Sequence, residues 1–179
     1  MRIDVDGEPL RALVRDIHDF PRPGIVFKDV TPLLLDPAAF STVVDAIVVR
    51  FGRGSIDKVV GIEARGFILA APVAYHFGAG FIPLRKAGKL PGATRGVAYD
   101  LEYGSETLEV HEDAIAAGER ILVVDDVLAT GGTAAAATEL VEACGGVVAG
   151  LAFLIELVAL GGAARIARYE HVALLRYEA

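Results

Sequence analysis

The chain has 179 residues, 54% apolar and 23% charged, the size and balance of one domain with a real core, which excludes a disordered chain. Its 17 Lys and Arg against 24 Asp and Glu leave a net charge of −7, so no general attraction to nucleic acid or to a membrane surface follows. A single cysteine excludes a disulfide framework within the chain and points to a reducing, cytoplasmic setting.

In chain order, Asp4, Asp6 and Glu8 without an apolar run do not read as a signal peptide. Leu10, Leu13, Val14 and Ile17 recur at i, i+3, i+4 and i+7 and predict a short amphipathic helix. Phe20-Pro21-Arg22-Pro23-Gly24 stops it in a loop. Asp36-Pro37 reads as an N-cap with proline at the first helical position, and Phe40, Val43, Val44, Ile47, Val48 and Phe51 then line one helical face. Lys58 to Ile62 reads as a buried strand. The uncharged stretch from Gly66 to Leu84 is long enough to span a bilayer, but Pro72, Gly78-Ala79-Gly80 and Pro83 break it into a helix, Gly66 to Phe77, and a strand, Phe81 to Leu84. Arg85 to Arg95 carries Arg85, Lys86, Lys89 and Arg95 with no acid and reads as a mobile basic loop. Val97 to Tyr103 and Thr107 to His111 flank Gly104-Ser105 as the arms of a hairpin. A strand at Ile121 to Val124, a helix at Thr133 to Cys144 and a strand at Val147 to Ile155 follow, then a short helix near Ala163 to Ala167 and a last strand around Val172 to Leu175. Strands alternating with helices predict an α/β fold with a mainly parallel sheet.

The stretch Ile121 to Thr133 concentrates the chemistry. An apolar strand leads into Asp125-Asp126, then the small-residue turn Ala129-Thr130-Gly131-Gly132-Thr133, then an Ala-rich helix. At the carboxyl edge of a parallel strand the two acids face the ligand crevice. The turn offers backbone N–H groups and a helix N-terminus to one anion, and Thr130 and Thr133 add hydroxyls. There is no Lys in the turn and no G-x-G-x-x-G in the chain, so neither a Walker A loop nor a dinucleotide fingerprint is present. Two adjacent acids at the end of a buried strand are costly without a ligand. Carboxylates that accept hydrogen bonds from vicinal hydroxyls, beside a turn that takes phosphate, suit a phosphorylated polyol. His18, His76, His111, His171 and Cys144 show no metal-ligand spacing.

Val123 to Thr133 resembles the phosphoribosyl-pyrophosphate motif of the type I phosphoribosyltransferases. Phe20 to Asp29, Gly61 to Phe67, Pro83 to Gly92 and Leu101-Glu-Tyr-Gly104 are together similar to the adenine-specific members of that family, nearly the whole chain in the right order. The resemblance implies a single domain, residues 1–179, of type I phosphoribosyltransferase fold: a mainly parallel twisted sheet flanked by helices. A small hood would be formed from about 1–35 and 156–170, and a hairpin lid from about 86–111. It implies conversion of adenine and 5-phosphoribosyl 1-pyrophosphate to AMP and pyrophosphate, with Mg²⁺ held mainly through substrate oxygens and water, in a cytoplasmic homodimer.

Carried onto these residues, Asp125 and Asp126 hold the ribose and Ala129, Thr130, Gly131, Gly132 and Thr133 its phosphate. Glu63, Ala64, Arg65, Arg85, Lys86 and Lys89 receive pyrophosphate, with Glu63-Ala64 as the place to look for a cis peptide. Val26 and Lys28 read adenine through their backbone, Phe27 stacks on it and Leu160 closes the opposite face. Glu102 and Tyr103, on the lid, complete the catalytic set with Arg65 and the two acids. The chain departs from the family pattern at Ala64, Ala87 and Ser105, none of them in the acids or the phosphate turn. Two alternatives stay open: another base on the same scaffold, and a non-catalytic regulator that keeps the donor turn.

Overall fold

The structure is a computed structural model that describes residues 7–100 and 105–178. Its elements are α1 (Gly7–Arg11), β1 (Arg15–His18), β2 (Val26–Asp29), α2 (Thr31–Leu35), α3 (Pro37–Phe51), β3 (Lys58–Ile62), α4 (Gly66–Phe77), β4 (Gly80–Lys86), β5 (Thr94–Asp100) and β6 (Ser105–His111). There follow β7 (Arg120–Leu128), α5 (Gly132–Ala143), β8 (Val147–Leu157), a 3-10 turn (Val158–Leu160), α6 (Gly162–Arg165) and β9 (His171–Tyr177).

Among the described residues one seven-stranded sheet runs in the order β5-β6-β4-β3-β7-β8-β9, and β1 and β2 form a separate antiparallel pair. The pairings β3–β4, β3–β7, β7–β8 and β8–β9 are parallel, while β6 and β5 extend the β4 edge antiparallel. Alternation along β7 sorts its side chains to the two faces of the sheet. Leu122 and Val124 join the layer of α3 and α4, with Val43, Ile47, Leu69 and Val73. Ile121 and Val123 join the layer of α5, with Ala137, Leu140 and Val141. The neighbours β3 and β7 thus send their following helices to opposite faces, which makes the ends of these two strands a topological switch point and opens a crevice there.

Local chemistry explains the boundaries. The Asp36 carboxylate accepts N–H bonds from Ala38 and Ala39, both at 2.9 Å, and caps α3 ahead of Pro37. The helix expected over Leu10 to Ile17 stops at Arg11. Arg15 to His18 instead pairs with Val26 to Asp29, Ile17 lies opposite Phe27, and Arg15 donates to Asp29 at 2.7 Å. The ladder supplies the backbone partners that a longer helix would have supplied. The basic loop is shorter than expected, because Arg85 and Lys86 end β4 and Arg95 lies in β5. No helix among the described residues is long and apolar enough to cross a membrane.

Candidate active site

β7 brings both acids to the crevice, but within the strand rather than beyond it. Asp125 sits opposite Phe153 in the ladder, and the strand continues to Leu128. Asp125 Oδ1 accepts the Asp126 N–H at 2.9 Å. Where α4 begins, a Cβ on Gly66 would lie 2.7 Å from that same oxygen, so the close approach of helix to carboxylate depends on glycine. The side chain of Asp126 is 7% exposed, and the Arg65 guanidinium lies 2.9 Å from its Oδ2. Burial pushes both carboxyls above their ordinary range; the charge of Asp126 raises Asp125 further, whereas Arg65 opposes the shift at Asp126.

Past Leu128 the chain turns through Ala129, Thr130 and Gly131 into α5. A cavity of about 70 Å³ opens there, lined by Asp125 and the turn from Leu128 to Ala134. That is well below the roughly 300–1,000 Å³ of a site for a whole drug-sized ligand and suits a single small anionic group. Gly131 has φ +79°, and a Cβ there would come within 2.5 Å of the Gly162 carbonyl oxygen. The start of α6 thus backs the turn, with Leu160, 51% exposed, just ahead of it.

The strand beside β7 ends in the Glu63-Ala64 peptide, which is cis, the state looked for there. The structure brings Arg85, Lys86 and Lys89 to this place, and it pairs all of them. Glu63 accepts from Lys89 Nζ at 2.7 Å, from the Lys86 N–H at 3.0 Å and from Arg85 Nε and Nη2 at 3.3 Å. Burial pushes the Glu63 carboxyl up, but these donors outweigh it and hold the group at about 2. Lys86 Nζ bonds Glu106 at 2.7 Å, and Glu106 also accepts from the Tyr99 hydroxyl at 3.0 Å. Sequence reasoning missed Tyr99 and Glu106, because a turn at Gly104-Ser105 would set Tyr99 opposite Val110, whereas Ser105 already belongs to β6 opposite Asp100 and the observed register pairs Tyr99 with Glu106. Glu102 and Tyr103 lie outside the described residues.

On the β2 side, Phe27 meets Phe20 edge-on at 5.2 Å and takes the Arg65 guanidinium over its ring at 5.0 Å. Val26 is 40% exposed, while the Lys28 side chain is almost wholly buried. Among the described residues no group of three or more His, Cys, Asp or Glu side chains converges as a metal cage. The hard oxygen donors nearest the crevice are those of Asp125 and Asp126.

The model of the family described as phosphoribosyl transferase domain matches residues 34–173. An adenine phosphoribosyltransferase of Acidothermus cellulolyticus is 62% identical over 170 residues, 95% of this chain and 96% of its own length. The chain belongs to the adenine phosphoribosyltransferase family. The adenine phosphoribosyltransferase of Rhodothermus marinus superposes with a TM-score of 0.91 at 50% identity, covering 95% of this chain and 97% of its own. That of Saccharomyces cerevisiae, solved with D-2,5-dideoxy-2,5-imino-altritol 1,6-bisphosphate and adenine, does so with 0.89 at 38% identity, covering 94% and 98%. The type I fold expected from Val123 to Thr133 is the one observed. As a member of the adenine phosphoribosyltransferase family, the chain is a purine-salvage transferase that converts adenine and 5-phosphoribosyl 1-pyrophosphate to AMP and pyrophosphate.

Proposed function

We propose that the crevice between β3 and β7 carries out this transfer as a Mg²⁺-assisted displacement at the ribose anomeric carbon, with oxocarbenium character in the transition state. One observation carries the reading: two adjacent acids inside β7, Asp126 buried against a guanidinium and Asp125 lining the cavity, immediately ahead of an open turn at a helix N-terminus. The turn from Ala129 to Thr133 takes the 5-phosphate, and Asp125 and Asp126 accept the ribose hydroxyls. As the glycosidic bond to pyrophosphate breaks, positive charge develops on the ribose beside carboxylates that are already in place, so little reorganisation is needed. Pyrophosphate leaves toward Glu63-Ala64, Arg65, Arg85, Lys86 and Lys89.

The donor set suits Mg²⁺, because Asp125 and Asp126 put carboxylate oxygens side by side, only Asp126 is ion-paired to Arg65 among the described residues, and a hard divalent ion prefers oxygen ligands and water. Held mainly by substrate oxygens and water beside these carboxylates, Mg²⁺ would supply charge neutralisation at the leaving group. The two carboxylates would accept hydrogen bonds from its water shell.

Phe27 stacks on adenine, the backbones of Val26 and Lys28 read its amidine edge, and Leu160 closes the opposite face. A carbonyl acceptor there welcomes a 6-amino group and is left unpaired by a 6-oxo group, a difference of about 1–3 kcal/mol. The ligands of the yeast relative, a bisphosphate and adenine, fit a site with a phosphate end and a base end. The segments 1–35 and 156–170 serve as hood and 86–111 as lid, whose Glu102 accepts the proton of the base and whose Tyr103 helps exclude water. We place the enzyme in the cytoplasm as a homodimer. Ile68 and Tyr75, 44% and 82% exposed on α4, offer an apolar stripe for a second copy.

The test is nucleotide formation from phosphoribosyl pyrophosphate with adenine, hypoxanthine and guanine side by side, with and without Mg²⁺. AMP alone, and only with Mg²⁺, is expected. IMP or GMP would overturn the assignment of Val26 to Lys28. Absence of product with donor binding retained in calorimetry would favour the regulator.

A further inference from the structure

We infer that Tyr177, at the end of β9, is a positioning residue for base recognition: its ring is the seat that holds the base-reading strand β2 against the site. The inference rests on the assignment of Val26 to Lys28 to adenine.

The β1–β2 pair stands apart from the main sheet, and an isolated two-stranded ribbon is marginal on its own. Its placement over the crevice must come from side chains that leave it. Lys28 is such a side chain. Although it is a lysine, its side chain is only 10% exposed. Its ammonium donates to Asp16 Oδ1 at 2.7 Å, within the ribbon, and lies 4.3 Å from the centre of the Tyr177 ring, outside it. The guanidinium of Arg11 lies over the same ring at 4.6 Å, and its Nη1 donates to the Arg176 carbonyl at 3.0 Å. One aromatic ring therefore holds two cations, one from α1 and one from β2, and a ring face attracts a cation most strongly where water is excluded.

Tyr177 is itself fixed to the sheet. It pairs with Leu157 at the end of β8, next to the pair Glu156 and Arg176, whose side chains form an ion pair at 3.0 Å. β8 runs directly into the 3-10 turn that bears Leu160. Both walls of the proposed base site, Phe27 and Leu160, are thus referred to one pair of strand ends. A shift at Tyr177 would move one wall relative to the other while the phosphate turn, held by β7 and α6, stays in place.

The experiment measures steady-state kinetics of the intact enzyme for both substrates in Tyr177→Leu, Tyr177→Phe, Lys28→Met and Phe27→Ala. Tyr177→Leu and Lys28→Met should each raise the adenine KM about tenfold, the scale of a lost desolvated cation–π contact, with the phosphoribosyl pyrophosphate KM within about twofold. Tyr177→Phe, which keeps the ring, should restore normal adenine KM. The double variant Lys28→Met/Tyr177→Leu should fall short of the sum of the two single effects, since the Lys28–Tyr177 contact that both changes remove is lost only once. An unchanged adenine KM in Tyr177→Leu and Lys28→Met, with Phe27→Ala impaired, overturns the seat alone. An unchanged adenine KM in Phe27→Ala instead removes the base reading on which it rests. Equal loss for both substrates would make Tyr177 merely structural and also overturn the proposal. Should Tyr177→Leu fail to fold, Lys28→Met decides, because it leaves β9 unaltered.

Discussion

Arg65 occupies two places that the reaction needs. Its guanidinium covers the ring of Phe27 and lies against Asp126, so one cation neutralises the ribose acid and shields the stacking face. Asp126 is buried, and burial raises its carboxyl while Arg65 opposes that rise. The charge is worth holding only if it acts on something. Replacing Asp126 by Asn keeps the shape and removes the charge that would face the oxocarbenium-like ribose. The variant should lose about 10²-fold or more in kcat, while Arg65, whose side chain is 43% exposed, finds water in place of its partner. Steady-state kinetics beside a thermal melt separates the two effects. Wild-type kcat in a folded variant would take the role from Asp126. The acids themselves were legible as a pair at a strand end, but their relation to Arg65 was not. That ion pair joins residues far apart in the chain, and charge pairing at a distance leaves no periodic trace in a sequence.

At the level of elements, what was legible followed burial. Lys58 to Ile62 and Gly66 to Phe77 coincide with β3 and α4, because an apolar run bounded by glycine and charge has few places to go in an α/β fold. β7 runs four residues past the expected end at Val124, because Asp125, Val127 and Leu128 continue the ladder with β8 and polar residues hide a strand from pattern reading. The Leu10 to Ile17 spacing suited a helix, yet its second half found a strand partner in Val26 to Asp29, which no local pattern announces. The phosphate turn was legible from its glycines, but the reason for one of them lies in α6. At Gly131, φ is +79° and the Gly162 carbonyl would meet a Cβ at 2.5 Å. Gly131→Ala must therefore bear left-handed strain of about 1–2 kcal/mol and also push α6 away from the turn. Its KM for phosphoribosyl pyrophosphate should rise about tenfold or more, with a smaller effect on adenine. An unaltered donor KM would mean that the turn tolerates movement and does not grip the phosphate through its backbone.

For the molecule as a whole, a net charge of −7 means that cations of an anion site are held by acids before any ligand arrives. Glu63 holds Arg85 and Lys89, Glu106 holds Lys86 and Asp126 holds Arg65. Pyrophosphate must compete with these carboxylates, and the same pairs tie the ends of β3, β4 and β6 together. Glu63 is the hub, and its effect on stability has a definite sign. Its folded value is about 2 against an ordinary 4.5, so on acidification the unfolded chain takes up the proton first. The stabilisation is fully present above the unfolded value and is lost as pH falls from about 4.5 toward about 2. Asp125 and Asp126, raised by burial, act in the opposite sense, but they are common to wild type and a Glu63→Gln variant and cancel in the difference. Urea unfolding of both proteins from about pH 6 down to about pH 2 should therefore show wild type more stable at the upper end, with the gap closing as Glu63 protonates. A gap that stays constant over that range would mean that the carboxylate charge is not what binds these strand ends, and the cations around it would then be free to meet pyrophosphate without a competitor.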